Sequence, residues 1–362
     1  MSDYEIRRYN PAGVLLEITN AISKLTTVRT ENNVGALELI IPNRYQYEDF
    51  SKCQIIEVWR AKGGSMELQG ETAYFLQDWE FTSSGGERLV RLLCMDANWL
   101  LSTRIVAYDA GSAQAEMTDY ADDMMKAIVK DNFGSDAATA RQLSALTISS
   151  NLSASESLTK AFSRRNVLAI CQELAEAATS AGTNTYFDVV RTGIGEFQFR
   201  TYTGQRGNDH GSISDDVRLV GEQYGNFENV LFGTYHSDEW NYIYAGGQGE
   251  EDAREIVEVS DSVRMNTGYP FNRIEEFVDA RNSDTTEGVT AEANSKLREG
   301  MPKQLISGRL VDTPGLQYGV HYGFGDILSV EAFGYKVDCH VSSVRIDYDG
   351  NEKIEARLKG EL

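Results

Sequence analysis

The chain has 362 residues, of which 41% are apolar, 25% charged and 10% aromatic. This composition can form hydrophobic cores and excludes wholesale disorder, and the length predicts two or three domains. Asp and Glu number 55 against 34 Lys and Arg, a formal net charge of −21. Since so acidic a surface repels phosphates, binding to DNA, RNA or anionic lipid is excluded as a main task. No stretch resembles a membrane span or a signal peptide, so we expect a soluble protein.

The first hundred residues predict antiparallel β structure. Apolar, β-branched and aromatic residues alternate with polar ones over segments of strand length. Between the first two segments, Pro11 and Gly13 favour a tight turn. Six or seven short strands at this spacing predict a barrel or a sandwich. The predicted strands cover residues 5–9, 14–18, 24–29, 36–41, 55–60, 74–81 and 88–95.

The middle of the chain predicts a mixture of helix and strand. A helix is predicted over residues 119–133, with Thr118 as its N-cap and Gly134 as its end. A second helix is predicted over 164–179, where apolar residues recur at spacings of three and four. Residues 135–157, between the helices, form a stretch rich in Ser, Ala and Thr. Two further strands are predicted over residues 186–190 and 196–201.

The last third of the chain returns to β structure with one helix. The helix is predicted over residues 287–298 and ends at Gly300. The residues Asp349-Gly350-Asn351 predict a hairpin turn between the last two strands. Strands are predicted over residues 240–245, 256–259, 275–280, 304–311, 327–332, 335–348 and 353–358.

Sequence motifs of catalysis are missing from the chain. It has no G-x-S-x-G nucleophile elbow, no H-E-x-x-H zinc motif and no Walker loop. The cysteines show no C-x-x-C pair, so we expect reduced, mostly buried thiols, as in a reducing cytoplasm. The scattered histidines and cysteines are His210, His236, His321, His340, Cys53, Cys94, Cys171 and Cys339.

A glycine-rich run at residues 246–249 follows a predicted strand and is a weak match to a phosphate loop. Glu250, Glu251 and Asp252 come directly after it, at the point where an incoming phosphate would bind. Three carboxylates there would repel such a ligand. The sequence therefore favours a flexible acidic hairpin or crossover over a cofactor site.

Asp347, Asp349 and Asn351 have the spacing of the first three ligands of a calcium loop. The sixth position is Glu352, where such a loop needs glycine, and the twelfth is Leu358, where it needs a bidentate glutamate. A turn between two strands explains these residues better than a calcium site.

Aromatic residues are frequent and follow the strand period. Cross-strand packing is the simplest explanation, and a sugar-binding platform is the alternative. Among 55 acidic residues, a carboxylate pair for glycoside hydrolysis is also open, although no spacing points to one. The aromatic residues concerned are Trp59, Trp79, Trp99, Trp240, Phe232, Tyr235, Tyr242 and Tyr244.

Several segments, taken in order, resemble one protein family. They are residues 4–13, 95–108 with 121–125, 241–250, and YGVHYGFGDILSV at 318–330. The last segment fits the pattern Y-G-x-x-x-x-x-G-D-x-x-x-V. Together they resemble the tail-associated baseplate hub proteins of siphophages, a tail-tube-closing family related to the hub of contractile phage tails.

The resemblance implies a mainly β fold with an α+β middle region. Two tail-tube-like β-barrel domains would flank the helical decoration. The N-terminal tube-like barrel would cover residues 1–105, and the α+β insertion, with two helices and a hairpin, residues 106–235. The C-terminal tube-like β domain, with one helix, would cover residues 236–362.

The resemblance also implies a structural function without enzymatic activity, catalytic residues, metal or cofactor. Such a hub is a homotrimeric ring that closes the tail tube and connects it to a central fibre or spike protein. Its neighbours would be a distal tail protein or tail-tube ring above and the tape-measure protein, and viral DNA would pass through the lumen without specific binding. The protein would be a virion component at the tail tip, assembled in the host cytoplasm. A carbohydrate-binding adhesin and a cell-wall hydrolase are the alternatives.

The loop at residues 318–326 carries the most specific part of the resemblance. Gly319, Gly323 and Gly325 permit backbone angles closed to other residues. Asp326 can accept hydrogen bonds from nearby amides and fix the turn before the next strand. We therefore expect a positive φ at Gly325 and a structural role for the loop.

Overall fold

A computed structural model describes residues 3–62, 64–84, 86–107, 115–162, 164–249, 253–281, 283, 285–311 and 313–360. The fold is mainly β with helices concentrated in the middle of the chain, as the sequence predicts. No helix in the described part is both long and apolar enough to span a membrane.

The first part of the chain consists of antiparallel strands and confirms the predicted ones. The first turn forms as expected: Gly13 has a φ of +79°, and Asn10 Oδ1 accepts hydrogen bonds from the amides of Ala12 and Val14. The strands are β1 (Tyr4–Tyr9), β2 (Leu15–Thr19), β3 (Lys24–Thr30), β4 (Ala36–Pro42), β5 (Ile55–Lys62), β6 (Ser65–Leu68), β7 (Tyr74–Ser84) and β8 (Glu87–Asp96).

The middle part is α+β, and one helix start differs from the prediction. Thr118 does not cap a helix, because it lies in a strand and its hydroxyl is 2.9 Å from that of Thr159 on the partner strand. The helix begins at Ala121 and ends, as predicted, before Gly134. The elements are α1 (Trp99–Ser102), β9 (Ala115–Tyr120), α2 (Ala121–Phe133), β10 (Leu146–Ile148), β11 (Ser157–Phe162), α3 (Val167–Ala181), β12 (Thr185–Gly193) and β13 (Glu196–Thr203).

The last part contains the remaining strands and two helices. The predicted turn at Asp349-Gly350-Asn351 is confirmed, since Tyr348 pairs with Glu352 and Gly350 has a φ of +101°. The elements are β14 (Asp209–His210), β15 (Leu219–Val220), β16 (Phe227–Tyr235), β17 (Tyr242–Gly246), β18 (Ile256–Ser260), α4 (Ser262–Thr267), β19 (Glu275–Asp279), α5 (Thr286–Glu299), β20 (Lys303–Leu310), β21 (Ile327–Ala332), β22 (Tyr335–Tyr348) and β23 (Glu352–Gly360).

One large sheet joins the first and last parts of the chain. Its main path runs β16-β20-β23-β22-β3-β4-β8-β7-β5-β1-β2. The joint is the antiparallel pair of β3 and β22, which extends from Thr30 opposite Ser343 to Leu25 opposite Tyr348. Through the described residues this sheet stays open, with β16 and β2 at its ends, so neither expected barrel is present as a closed barrel. In a closed first barrel, the outer edge of β3 would pair with another strand of the first part. Here that edge pairs with β22 instead.

Three hydrophobic cores accompany this arrangement. The largest lies under the joined sheet and combines residues from both β parts, such as Leu39 and Ile346. The second packs α2 and α3 against β12 and β13, with Phe187 and Phe199 at its centre. A small third core lies between β17 and α5, around Ile243. The first and last parts of the chain therefore share one core, although the whole middle part separates them in sequence.

Candidate functional site

The features that the sequence suggested for calcium and phosphate binding have local roles. Asp347 accepts a hydrogen bond of 2.6 Å from the Thr26 hydroxyl across the β3–β22 joint and pairs with Arg345. In the glycine run, the Arg254 guanidinium donates to the carbonyl oxygens of Gly246 and Gly247, at 2.9 and 3.2 Å. The run is therefore bound by a side chain of the protein itself. Residues 250–252, for which an acidic crossover was expected, lie outside the described residues.

The histidines and cysteines do not gather at one place. The thiols of Cys94, Cys171 and Cys339 are buried and free, and Cys53 is half-buried and free, as predicted. Burial raises the pKa of the Cys339 thiol to about 12. Within the described ranges, no three His, Cys, Asp or Glu side chains are grouped to hold a metal ion. Each histidine contacts a partner near it: His210 the carbonyl of Asp216, His236 the carboxylate of Glu239, His321 the amide of Gln317, and His340 the carboxylate of Glu31.

The aromatic residues mostly pack against other side chains, as the strand period indicates. Trp99 packs on Phe75, with ring centroids 5.6 Å apart. Arg7 covers Trp59 at 3.8 Å, and Lys296 covers Trp240 at 4.4 Å. Packing against neighbouring side chains therefore accounts for Trp59, Trp99 and Trp240.

A buried ionic cluster connects all three parts of the chain. We call Arg29, Asp96, Asp188, Arg206 and Phe324 the junction cluster. Arg29 of β3 lies 3.0 Å from Asp188 of β12, and Nε of Arg206, after β13, donates to the same carboxylate at 2.8 Å. The guanidinium carbons of Arg29 and Arg206 lie 4.5 and 4.8 Å from the ring centre of Phe324. Phe324, in the last part of the chain, is thus held by arginines from the two other parts.

Burial and neighbouring charges shift the pKa values of the two carboxyl groups in the cluster. Burial by itself would raise the pKa of Asp188, but Arg29 and Arg206 outweigh this effect and hold the pKa below its ordinary value. Burial raises the pKa of Asp96 to about 7, and the negative charge of Asp188 adds to the rise. Asp188 is therefore the anion that both arginines need, while Asp96, with a pKa of about 7, is only partly ionised at neutral pH.

The loop at residues 318–326 closes over this cluster, and its predicted geometry is confirmed. Gly325 has a φ of +85° and Gly319 a φ of +80°. Asp326 accepts hydrogen bonds of 2.6 Å from the amides of Gly323 and Asn208. Gly323 does not share the left-handed conformation of the other two glycines. The family-like motif thus forms a rigid turn whose contacts reach the middle part of the chain.

The N-terminal end of the loop is also fixed by buried polar groups. Arg60 of β5 donates a 2.6 Å hydrogen bond to the carbonyl of Tyr318. Arg60 also pairs with Glu352 of β23, which accepts from the Tyr4 hydroxyl as well. These contacts join the first and last parts of the chain. The polar residues at this end of the loop therefore stabilise the fold.

The two ends of the large sheet carry exposed apolar side chains. At one end, β2 and two neighbouring turns form what we call the aliphatic edge, in which Ile194 of the β12–β13 turn lies beside Gly13. Its exposed residues are Val14, Leu15, Leu16, Ile18 and Ile194. Contiguous exposed apolar surface of this kind marks interaction sites in soluble proteins.

At the other end, β16 and the β21–β22 turn form what we call the aromatic edge. Phe232 of β16 stacks on Phe333 at 6.5 Å and packs on Tyr335 at 5.4 Å. Phe333 is 62% exposed and has a φ of +51°, a strained conformation for a bulky residue. The residues of this edge are Leu231, Phe232, Tyr235, Phe333 and Tyr335.

The sequence singles out Phe232, Tyr235 and the loop that contains Phe324, but it does not predict the cluster or either edge as a site. Arg29 and Asp188 are 159 positions apart, and each lies in an ordinary alternating strand. β16 was not predicted as a strand. The exposed residues of β2 fit the pattern of any half-buried strand, so only the sheet order shows that this strand is terminal.

Solved structures of phage tail proteins share this fold over nearly their whole length. The 43 kDa tail protein of prophage MuSo2 from Shewanella oneidensis matches with a TM-score of 0.60 and 11% identity, over 98% of both chains. A tail protein from Neisseria meningitidis MC58 matches at 0.60 and 14% identity, over 98% of this chain and 96% of that one. Prophage tail protein gp18 from Listeria monocytogenes matches at 0.56 and 9% identity, over 98% and 94%.

The fold of this chain is thus one that phage tail proteins adopt. The family model of siphovirus ReqiPepy6 Gp37-like proteins matches residues 5–358, and the chain belongs to this family. No curated protein matches the sequence. The resemblance to siphophage tail proteins found in the sequence is confirmed.

Proposed function

We propose that the protein is the baseplate hub, a homotrimeric ring that closes the tail tube and leaves a lumen for DNA. One observation carries the proposal: β3 and β22 join two β parts of one chain side by side in a single sheet. A chain of this kind contributes two neighbouring units to a ring. Three copies then supply six units, which match the sixfold symmetry expected of the tail tube that they close.

The proposal assigns a role to each part of the chain. Residues 1–105 form one tube-like part, and residues 236–362 form the other together with β14, β15 and β16, which precede them and pair with β20 and β21. The rest of residues 106–235 forms the decoration around them. The junction cluster supports the division, because it ties the decoration to the first part through the Arg29–Asp188 ion pair and to the last part through the contact of Arg206 with Phe324. It keeps the two units at a fixed angle, which a ring needs in order to close.

The proposed neighbours are those of a hub at the end of a tube. A distal tail protein or tube ring lies above, a central fibre or spike protein lies below, and the tape-measure protein ends at the ring. Viral DNA passes through the lumen without specific binding. The net charge of −21 on each chain supports this passage, because an acidic wall repels phosphates.

The copy number in assembled tails tests the proposal. We expect electron cryo-microscopy of purified tails to show three copies around a pore wide enough for a DNA duplex. One or two copies in the assembled tail would refute the hub function. The measurement uses tails because an isolated chain can need its neighbours for closure.

The absence of enzymatic activity is part of the proposal and has its own test. We expect no clearing of peptidoglycan in a zymogram and no binding to a glycan array. Clearing that one carboxylate substitution abolishes would favour the cell-wall hydrolase. Specific glycan binding by the full chain would favour the adhesin.

A further inference from the structure

We propose that the aliphatic edge of one copy binds the aromatic edge of the next, so that the large sheet continues from chain to chain. This inference rests on the proposed hub function and names the surfaces that close its ring. The occupant of each edge is a second copy of this chain, bound head to tail. Three properties of the terminal strands support the contact: their unpaired backbone groups, their charge and their direction.

The backbone groups of both terminal strands are free on the outer side. In the described residues β2 pairs only with β1, and β16 pairs only with β20. The pairing is regular from Ile6 opposite Thr19 to Arg8 opposite Glu17, and from Leu231 opposite Ser307 to Tyr235 opposite Lys303. Each strand has a register irregularity beyond this run, between Leu15 and Glu17 in β2 and between Glu228 and Leu231 in β16. Within the regular run, each outer side presents a short row of amide and carbonyl groups, which is a template for another strand.

The charges on both terminal strands are neutralised within the chain. Edge strands usually resist association by exposing charged side chains. The single charge of β2, Glu17, is taken up by Tyr45, whose hydroxyl donates at 2.7 Å, and by Arg8 and Arg44. Glu228 of β16 is paired with Arg309. In a chain of net charge −21, two sheet ends with apolar side chains and neutralised carboxylates are suited to binding each other.

The direction of the two terminal strands is the same. Every neighbouring pair along the main path is antiparallel, and the path holds eleven strands. The first and eleventh strands, β16 and β2, therefore run the same way. A sheet that continues from one copy to the next in this strand order therefore places β2 of one copy beside β16 of the next as a parallel pair. Such a heterologous contact repeats around a ring and closes it.

Cross-linking in assembled tails tests the contact. Tails are built from a mixture of Ile18→Cys and Leu231→Cys chains and treated with a short bismaleimide. We expect covalent dimers that contain one chain of each kind, and we expect the Ile18→Cys/Leu231→Cys double variant to link into trimers and nothing larger. Leu15→Cys replaces Ile18→Cys in a parallel set, so that a second position along β2 is tested. The unsubstituted chain controls for the native cysteines.

The outcomes separate the inference from the proposed function. Suppose that each tail holds three copies but no mixed cross-link forms, or that Ile18→Cys chains link only to each other. Either result would overturn the edge contact and leave the proposed hub function standing. A copy number other than three would overturn the hub function and, with it, this contact.

A charge exchange provides a second measurement. Ile18→Lys and Leu231→Glu are each expected to weaken assembly about tenfold or more, because each places an unpaired charge in the contact. The double variant places opposite charges across the contact and is expected to recover much of the loss. Ile213→Lys, at a residue that is 92% exposed and remote from both edges in sequence, is the matched control. A double variant as weak as either single variant would contradict the contact.

Discussion

Gly325 shows how a single backbone position supports the loop over the junction cluster. Its φ of +85° is strained for any residue with a Cβ, and a Cβ placed there would lie 3.0 Å from Arg206. We expect Gly325→Val to lower the free energy of unfolding by about 1–3 kcal/mol, measured by thermal or urea unfolding.

Gly315→Val is the matched control for this substitution. A Cβ at Gly315 would have no neighbour within 4 Å, and this glycine does not adopt a positive φ. We expect this variant to unfold like the parent protein. Equal stability of the two variants would contradict a structural role for the Gly325 conformation.

Asp96 predicts an unusual pH dependence at the junction cluster. Burial raises its pKa to about 7, whereas an unfolded chain gives Asp a pKa of about 3.9. Between these values the folded state holds a proton that the unfolded state releases, so the contribution of Asp96 to stability falls as the pH rises. The slope is about 1.4 kcal/mol for each pH unit within that window.

Asp96→Asn isolates this contribution, because an amide oxygen still accepts the hydrogen bond from the amide of Asn98. We expect the stability of the parent protein relative to this variant to fall between about pH 4 and pH 7 and to level off above. Urea unfolding at several pH values gives the difference. A constant difference across this range would show that Asp96 is not protonated in the folded protein.

Among the elements, helix α2 holds the Ser/Ala/Thr-rich stretch in place. Asp123 accepts hydrogen bonds from the amides of Leu152 and Ser153, at 2.8 and 3.0 Å, and from Lys126 at 3.0 Å. Burial would raise the pKa of Asp123, but these donors hold it below the ordinary value. Asp122 makes similar bonds to Ser155. A segment without hydrophobic periodicity is thus ordered by two buried carboxylates.

We expect Asp123→Asn to lower the free energy of unfolding by about 1–3 kcal/mol, since it weakens buried hydrogen bonds to a charged group while Lys126 keeps Asp122 as a partner at 3.4 Å. Urea unfolding measures the loss, and hydrogen exchange of the Leu152 and Ser153 amides should increase. Asp136→Asn is the control, because the Lys130–Asp136 pair, 2.8 Å long, is about half exposed. Its expected loss is below about 1 kcal/mol. Similar losses in the two variants would contradict the anchoring role of Asp123.

For the assembled molecule, the apolar edges predict that salt does not dissociate the ring. Salt screens exposed charges, with a Debye length of about 3 Å at 1 M, but it does not weaken apolar contacts. We expect purified hub rings to keep their sedimentation coefficient from about 0.1 to 1 M NaCl. Dissociation at high salt would indicate an interface held by ion pairs and would count against the apolar contact.

Most elements and the local geometry of the motif loop could be predicted from the amino-acid sequence. Alternating residues predicted the strands of both β parts, and the residues Asp349-Gly350-Asn351 predicted their last turn. The positive φ of Gly325 and the amide contacts of Asp326 were predicted as well. These features depend on residues close together in the chain, so periodicity and turn chemistry are enough to predict them.

Only the folded chain shows where β3 pairs, where α2 begins and which strands are terminal. Thr30 and Ser343 meet across the joint although they are 313 positions apart, and both belong to strands that would suit many partners. Thr118 is a good N-cap in sequence, but the pairing of β9 with β11 uses it as strand. Asp188 of β12 meets Arg29 only because the packing of two separate sheets brings β12 close to β3, and it meets Arg206 in the segment after β13. Such contacts join residues that are far apart in the sequence, and each backbone or charged group has many possible partners. Which partner it binds depends on the packing of the whole chain, so the local sequence does not predict it.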